Sequence, residues 1–261
     1  MSQMHFIGGE KGGVGKSVLA RLLSQYHIDR ELPFRVFDTD LSHGAMLRFY
    51  GAYTTHIALD DFASADQLME AAVERPQNVL VDLAAQTTRP LFRWMDENDL
   101  PGLAAEEGVG LVLWHVMDDG ADGIGLLEQL LAQLPGNARC VVVKNLGRGK
   151  DFSAFEASRA RAQASALGAP VLDLPELHAA TMRKLDHDNL SFWAAANNRD
   201  AGLGLMERQR VKVFMRRAYQ QFDAVAGSVF VRGEAPGERA SAAAPESPAP
   251  EPALEPTPEA I

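Results

Sequence analysis

Short apolar or β-branched runs alternate along the chain with longer stretches of helical periodicity. Residues 4–7, 35–38, 79–83, 110–117, 139–144 and 170–174 read as strands. Between them, helical patterns cover 16–30, 65–75, part of 88–107, 124–134 and 153–167; two more follow, near 179–188 and over about 205–225. This alternation predicts parallel strands joined by crossover helices. The strands are continuous apolar runs rather than in-and-out alternations, so helices should cover both faces of the sheet. The predicted fold class is α/β, a doubly wound, mainly parallel sheet flanked by helices. No internal repeat is visible.

Composition sharpens this picture in three places. A chain of 261 residues with 46% hydrophobic and 23% charged residues suits one large domain and argues against a fibrous or wholly disordered protein. The single cysteine, Cys140, excludes an intrachain disulfide and any iron-sulfur or zinc cluster held by the cysteines of one chain, which fits a reducing cytoplasm. The apolar run at 109–117 is roughly half the ~20 residues of a membrane-spanning helix. Residues 4–9 run straight into a glycine-rich loop, so no export signal is expected.

The formal net charge is -10, but it is unevenly placed. Residues 233–261 hold six glutamates against one arginine and seven of the fourteen prolines, with no aromatic residue. Composition therefore divides the chain into a folded domain over 1–227 and a Pro/Ala/Glu-rich acidic tail over 228–261 expected to lack fixed structure.

The strongest chemical signal is Lys11-Gly12-Gly13-Val14-Gly15-Lys16-Ser17, set between a strand and a helix. Glu10 stands where the usual phosphate-binding loop has its first glycine, and a lysine heads the loop instead. The glycines let backbone N–H groups turn inward at phosphate oxygens beside the positive end of a helix. Lys16 should neutralise phosphate charge and the Ser17 hydroxyl should ligate Mg²⁺, which makes the chain a P-loop nucleotide-binding domain using ATP.

This loop resembles that of the ParA/MinD group of deviant Walker ATPases. The resemblance implies that Lys11 reaches across a homodimer to the partner's nucleotide, with ATP sandwiched between two chains. Asp38-Thr39-Asp40 looks like that family's Asp-x-Asp motif; Asp40 would orient the attacking water, and Asp38 would act on Mg²⁺ through its water shell. Asp82, closing the apolar run Val79-Leu80-Val81, would hold the same shell as a Walker B aspartate. Strand-end capping is the alternative for all three. Asn145 and the Pro175-Glu176 turn match positions that contact the adenine, although both are also ordinary turn residues. Cys140 and His115 read as core residues, and His43, His56, His178 and His187 show no metal-ligand spacing.

In the final helical pattern, residues 207–217 carry five basic residues against one acidic. That is either a solvated face or a DNA-binding one; membrane binding is disfavoured because a Pro/Glu segment follows. With Gln25-Tyr26 and Leu190-Ser191-Phe192, this segment resembles the TraL family, P-loop proteins encoded with plasmid conjugal-transfer genes. The expected function is a slowly hydrolysing, dimerising ATP switch in plasmid or DNA transfer, partition or cargo positioning, working with a protein partner. The alternative is an ATP-dependent small-molecule ligase or kinase of the dethiobiotin-synthetase type, its acceptor lined by the 42–61 loop. A nitrogenase-reductase relative is excluded, since its cluster needs two cysteines per chain.

Overall fold

The computed structural model describes residues 1–40 and 44–231. In chain order its elements are β1 (Ser2–Gly8), α1 (Lys16–Asp29), β2 (Phe34–Asp38), α2 (Ala45–Tyr50), β3 (Thr54–His56), α3 (Phe62–Glu74) and β4 (Asn78–Asp82). There follow α4 (Thr88–Glu97), α5 (Leu100–Glu106), β5 (Val109–Met117), α6 (Ala121–Gln133) and β6 (Ala138–Asn145). The chain continues through α7 (Ser153–Glu156), α8 (Arg159–Ala166), β7 (Val171–Leu174), α9 (Ala179–His187), α10 (Phe192–Asn197) and α11 (Leu205–Val229).

The seven strands form one all-parallel sheet in the order β3-β2-β4-β1-β5-β6-β7. Alternate residues of each central strand point into different helix layers. Ile7, Val112, Trp114 and Val141 pack with α1 and α11, whereas Met4, Phe6, Val79 and Leu113 pack with α3, α4 and α5. Both faces are buried, which is why these strands read as unbroken apolar runs. Strand order reverses beside β1: the chain passes from β1 to β2 and the edge strand β3, returns to β4 between β2 and β1, and then crosses to β5, β6 and β7 on the other side. The loop after β1 therefore sits at the topological switch point, where open α/β sheets bind ligands.

Several elements differ from expectation. Edge strand β3 and helix α2 occupy a stretch read as loop. The 88–107 pattern splits at Asp99, whose carboxylate accepts the Gly102 N–H. The 153–167 pattern splits at Ser158, whose hydroxyl accepts the Arg161 N–H and starts α8. These are local caps that interrupt one apolar period.

The folded body also extends beyond residue 227. Helix α11 continues to Val229, Phe230 stacks on Trp114 at 6.1 Å, and the Val231 N–H donates to Asn78 Oδ1 at 2.9 Å. Residues 228–231, expected to belong to the acidic tail, thus pack with the described body, and the rest of that expected tail, 232–261, lies outside the described residues.

Candidate nucleotide site

The site is laid out along the carboxyl edge of the sheet. From β2 to β7 that edge carries Asp38, then Asp82 at the end of β4, the 9–16 loop after β1, Asp118 after β5, Asn145 ending β6 and Pro175 after β7. Strand register places Asp38 directly opposite Asp82, and Ile7 opposite Asp82 on the other side.

The loop needs glycine for a stated reason at two positions. Gly13 has φ +78 and Gly15 φ +106, conformations that L side chains rarely adopt. A Cβ on Gly15 would also stand 2.2 Å from Asn145 Nδ2. Lys16 folds back into the loop, its ammonium donating to the Gly9 carbonyl at 2.8 Å and the Lys11 carbonyl at 3.1 Å. Burial lowers its pKa, while Asp82, Glu10 and Asp40 pull the other way. A buried ammonium ringed by backbone at a helix N-terminus is ready to exchange those carbonyls for anionic oxygens.

Asp82 is the most perturbed acid at this edge. Burial pushes its carboxyl up to about 7, against the Ser17 hydroxyl that hydrogen-bonds to it, and its Oδ1 is buried without a hydrogen-bond partner. Asp38 is also raised by burial, although its carboxylate accepts the Asp40 N–H at 3.0 Å and the Met46 N–H at 2.9 Å. Thr39 ties the two strand ends together: its hydroxyl donates to the Asp82 carbonyl and accepts the Ala84 N–H. Among the described residues no group of three or more His, Cys, Asp or Glu could hold a metal by itself. A hydroxyl beside an orphaned carboxylate oxygen suits instead a magnesium ion that keeps its waters and shares phosphate ligands. The donor set fits that group.

Lys11 behaves differently from Lys16. Its ammonium leaves the loop to form an ion pair of 2.8 Å with Asp118, and its pKa is raised, first by that hydrogen bond. Residue type gave no sign of Asp118 as its partner. Glu10 was likewise missed: its carboxylate accepts the Thr88 N–H at 3.1 Å and so caps α4.

Asn145 is buried, and its amide holds the loop. Nδ2 donates to the Val14 carbonyl at 2.6 Å and Oδ1 accepts the Gly147 N–H at 3.0 Å. Pro175 and Glu176 line a separate cleft of about 560 Å³ with Leu146, Lys150, Arg217 and Gln220, and Lys150 pairs with Glu176. Asn145 takes no part in lining it. Cys140 is buried in β6 with its thiol pushed up to about 12, and His115 Nε2 bonds the Gly123 carbonyl.

No family model matches the chain. A Protein TraL of Escherichia coli is 29% identical over 242 residues, which cover 87% of this chain and 99% of that protein. A second Escherichia coli TraL is 25% identical over 85% of this chain and 98% of its own length. The chain is thus similar in sequence to TraL proteins over most of its length, and a Protein MobD of Acidithiobacillus ferrooxidans is 27% identical over 67% of this chain and 78% of that protein. The TraL-like chain has the fold of MinD. It matches the septum site-determining protein MinD complexed with Mg-ADP from Pyrococcus horikoshii OT3 at a TM-score of 0.50 and 14% identity, over 87% of this chain and 97% of that one.

Proposed function

We propose that this protein is an ATP-dependent, dimerising switch that serves plasmid DNA transfer. The observation that carries the reading is the division of labour between two loop lysines, Lys16 buried inside the cradle and Lys11 turned out of it to Asp118 at 2.8 Å. A lysine standing at the mouth of its own cradle is available to a second chain. In the ATP-bridged homodimer each Lys11 would leave Asp118 and meet the partner's phosphates.

Lys16 and the backbone N–H groups of Gly12, Gly13, Val14 and Gly15 would bind the phosphates. Bound magnesium would draw charge from the phosphate oxygens; Ser17 would hold it directly, with Asp82 and Asp38 holding its waters. Asp40 would orient the attacking water. Asn145 would shape the loop from below the base, and Pro175 would bound the base on its outer side. Hydrolysis would return the chains to monomers, and the alternation would gate a protein partner of the transfer machinery. The TraL relatives support the setting, and the MinD complex with Mg-ADP supports the ligand. No helix of the described residues is long and apolar enough to cross a membrane.

The test separates the lysines. Lys16→Ala should abolish binding of a fluorescent ATP analogue, whereas Lys11→Ala should bind it within about threefold of wild type and fail to dimerise in analytical ultracentrifugation with ATP. Dimerisation of Lys11→Ala as good as wild type would sink the sandwich.

One observation favours a second reading, phosphoryl transfer to a small acceptor. A cleft of about 750 Å³ opens beside Glu10 between α4 and α6, lined in part by Arg89, Phe92 and Gln129, and it is large enough for a metabolite. It lies away from the 42–61 stretch expected to line such a pocket. ATP turnover stimulated by a metabolite rather than by protein or DNA would favour this reading.

A further inference from the structure

Of the Phe, Tyr and Trp rings among the described residues, only Tyr53 and Trp193 are exposed. Far apart in sequence, they line the same cleft, which holds about 340 Å³ between α1, α2 and α10. A single exposed apolar side chain is ordinary, but the meeting of the only two exposed rings asks for a reason. Tyr53 stacks one face on Phe34 at 5.0 Å, which steadies the ring and leaves the rest of it to solvent. Trp193 is more than half exposed.

Beneath the rings the cleft has a polar floor that is already assembled. Gln25, offered by the sequence only as a point of likeness to TraL proteins, is buried and ties three walls together. Its Nε2 donates to Asp29 Oδ1 at 2.9 Å, and its Oε1 accepts the Tyr50 hydroxyl at 3.1 Å and the Trp193 N–H at 3.2 Å. Asp29 Oδ2 accepts the Tyr219 hydroxyl at 2.7 Å. Two neutral donors thus fix this exposed carboxylate, and among the described residues no basic side chain lies within ion-pair distance of it. Each of its oxygens keeps a further lone pair. The bases nearby are engaged elsewhere: Arg30 with Asp223 at 2.9 Å, Arg21 with Asp186 at 2.8 Å, and Arg48 with Asn189 Oδ1 at 3.0 Å.

A fixed anion beside two open π faces is complementary to a cation. A guanidinium meets both demands at once, its fork of N–H groups matching the carboxylate and its flat face matching the rings, whereas an ammonium offers no plane to stack. The chain uses the same pairing on the adjoining wall, where the Arg21 guanidinium lies 3.5 Å from the centroid of the Phe49 ring. We propose that this cleft is a docking site for an arginine side chain presented by a protein partner, with Asp29 accepting the guanidinium and Tyr53 and Trp193 flanking it. Tyr, Trp and Arg are the usual anchors of protein interfaces, and the cleft is sized for one anchoring side chain rather than a large metabolite. Asp29 lies thirteen residues along α1 from Lys16, about 20 Å, so the site stands apart from the nucleotide cradle and does not depend on ATP binding.

Trp94 and Trp114 are fully buried, so quenching of tryptophan emission by an added solute reports Trp193. In the full-length protein without nucleotide, at constant ionic strength, N-acetylarginine amide should quench this emission saturably with a midpoint on the order of 1–10 mM. The uncharged isostere N-acetylcitrulline amide should need at least about fivefold more. Asp29→Asn should raise the arginine midpoint by about three- to tenfold. Tyr53→Leu should do the same, and as a change at an exposed position it keeps the proposal testable if Asp29→Asn disturbs the end of α1. Equal response to the arginine and citrulline compounds, or wild-type midpoints in both variants, overturns the proposal. So does free arginine that binds more than about tenfold tighter than the blocked form, since the occupant is then a metabolite.

Discussion

For Lys11 to reach another chain's phosphates it must first leave Asp118, so that carboxylate sets how readily the lysine is released. Asp118→Asn removes the charge but keeps the shape and the bond to the Gly120 N–H at 3.1 Å. Because partly exposed ion pairs are weak, the variant is expected to form ATP-dependent dimers at a protein concentration lower by a factor of about two to five. Sedimentation across a concentration series measures this; an unchanged midpoint would mean that the pair is ornamental. The residues at this edge were unequally legible in the sequence. Asp38 and Asp82 stand out because each ends a strand visible as an apolar run, and Lys16 and Ser17 because they open the helix that follows the glycine-rich loop. Asp118 and Glu10 do not, because their partners lie 107 and 78 residues away and only the sheet order brings them together. Asn145 was legible as a strand-end residue, yet its bond to the Val14 carbonyl depends on how closely β6 approaches the loop.

At the scale of elements, α11 closes one face of the sheet. Phe222 is fully buried, with Tyr26 at 5.6 Å and Trp114 at 6.4 Å, both edge-to-face. Phe222→Ala should cost about 3–5 kcal/mol, read as a lower urea midpoint with an unchanged slope. Trp193→Ala is the contrast, since that ring is 55% exposed and its loss should cost well under half as much. Helices of three or more turns carry their period plainly, which is why α1, α3, α6 and α11 were legible. Helices α2 and α10 span only six residues each, less than two turns, and β3 only three, too short for any period to emerge. Tertiary bonds define such pieces: the Tyr50 hydroxyl donates to Gln25, and Gln25 in turn accepts the Trp193 N–H.

Over the whole molecule, three buried histidines make the fold sensitive to acid. Burial lowers His5 to about 3, helped by the charge of His27 and opposed by Asn78, and it lowers His27 and His115 to about 4. Their folded values lie below the unfolded 6.5, so the unfolded chain takes up more protons and stability falls as pH drops from about 6.5 towards 4. Asp82, raised to about 7, works the other way over the same range, but one carboxyl opposes three imidazoles. The net loss should be on the order of a few kcal/mol between pH 7.5 and 5, seen as a lower urea midpoint at pH 5. A rising midpoint would mean that the histidines are protonated in the fold. His5 sits in a chain that runs from Trp114 through His5 and Asn78 to Val231, so acid would loosen the end of α11 together with the core.

Glu10 has a mechanical consequence of its own. Where the usual loop has a glycine with no reach, this chain has a carboxylate hooked onto the first turn of α4, a tie rod between the phosphate cradle and one wall of the cleft beside α6. Anything wedged into that cleft would tug the cradle through a single bond. Since such coupling runs equally in both directions, a filled cradle would in turn change what the cleft accepts.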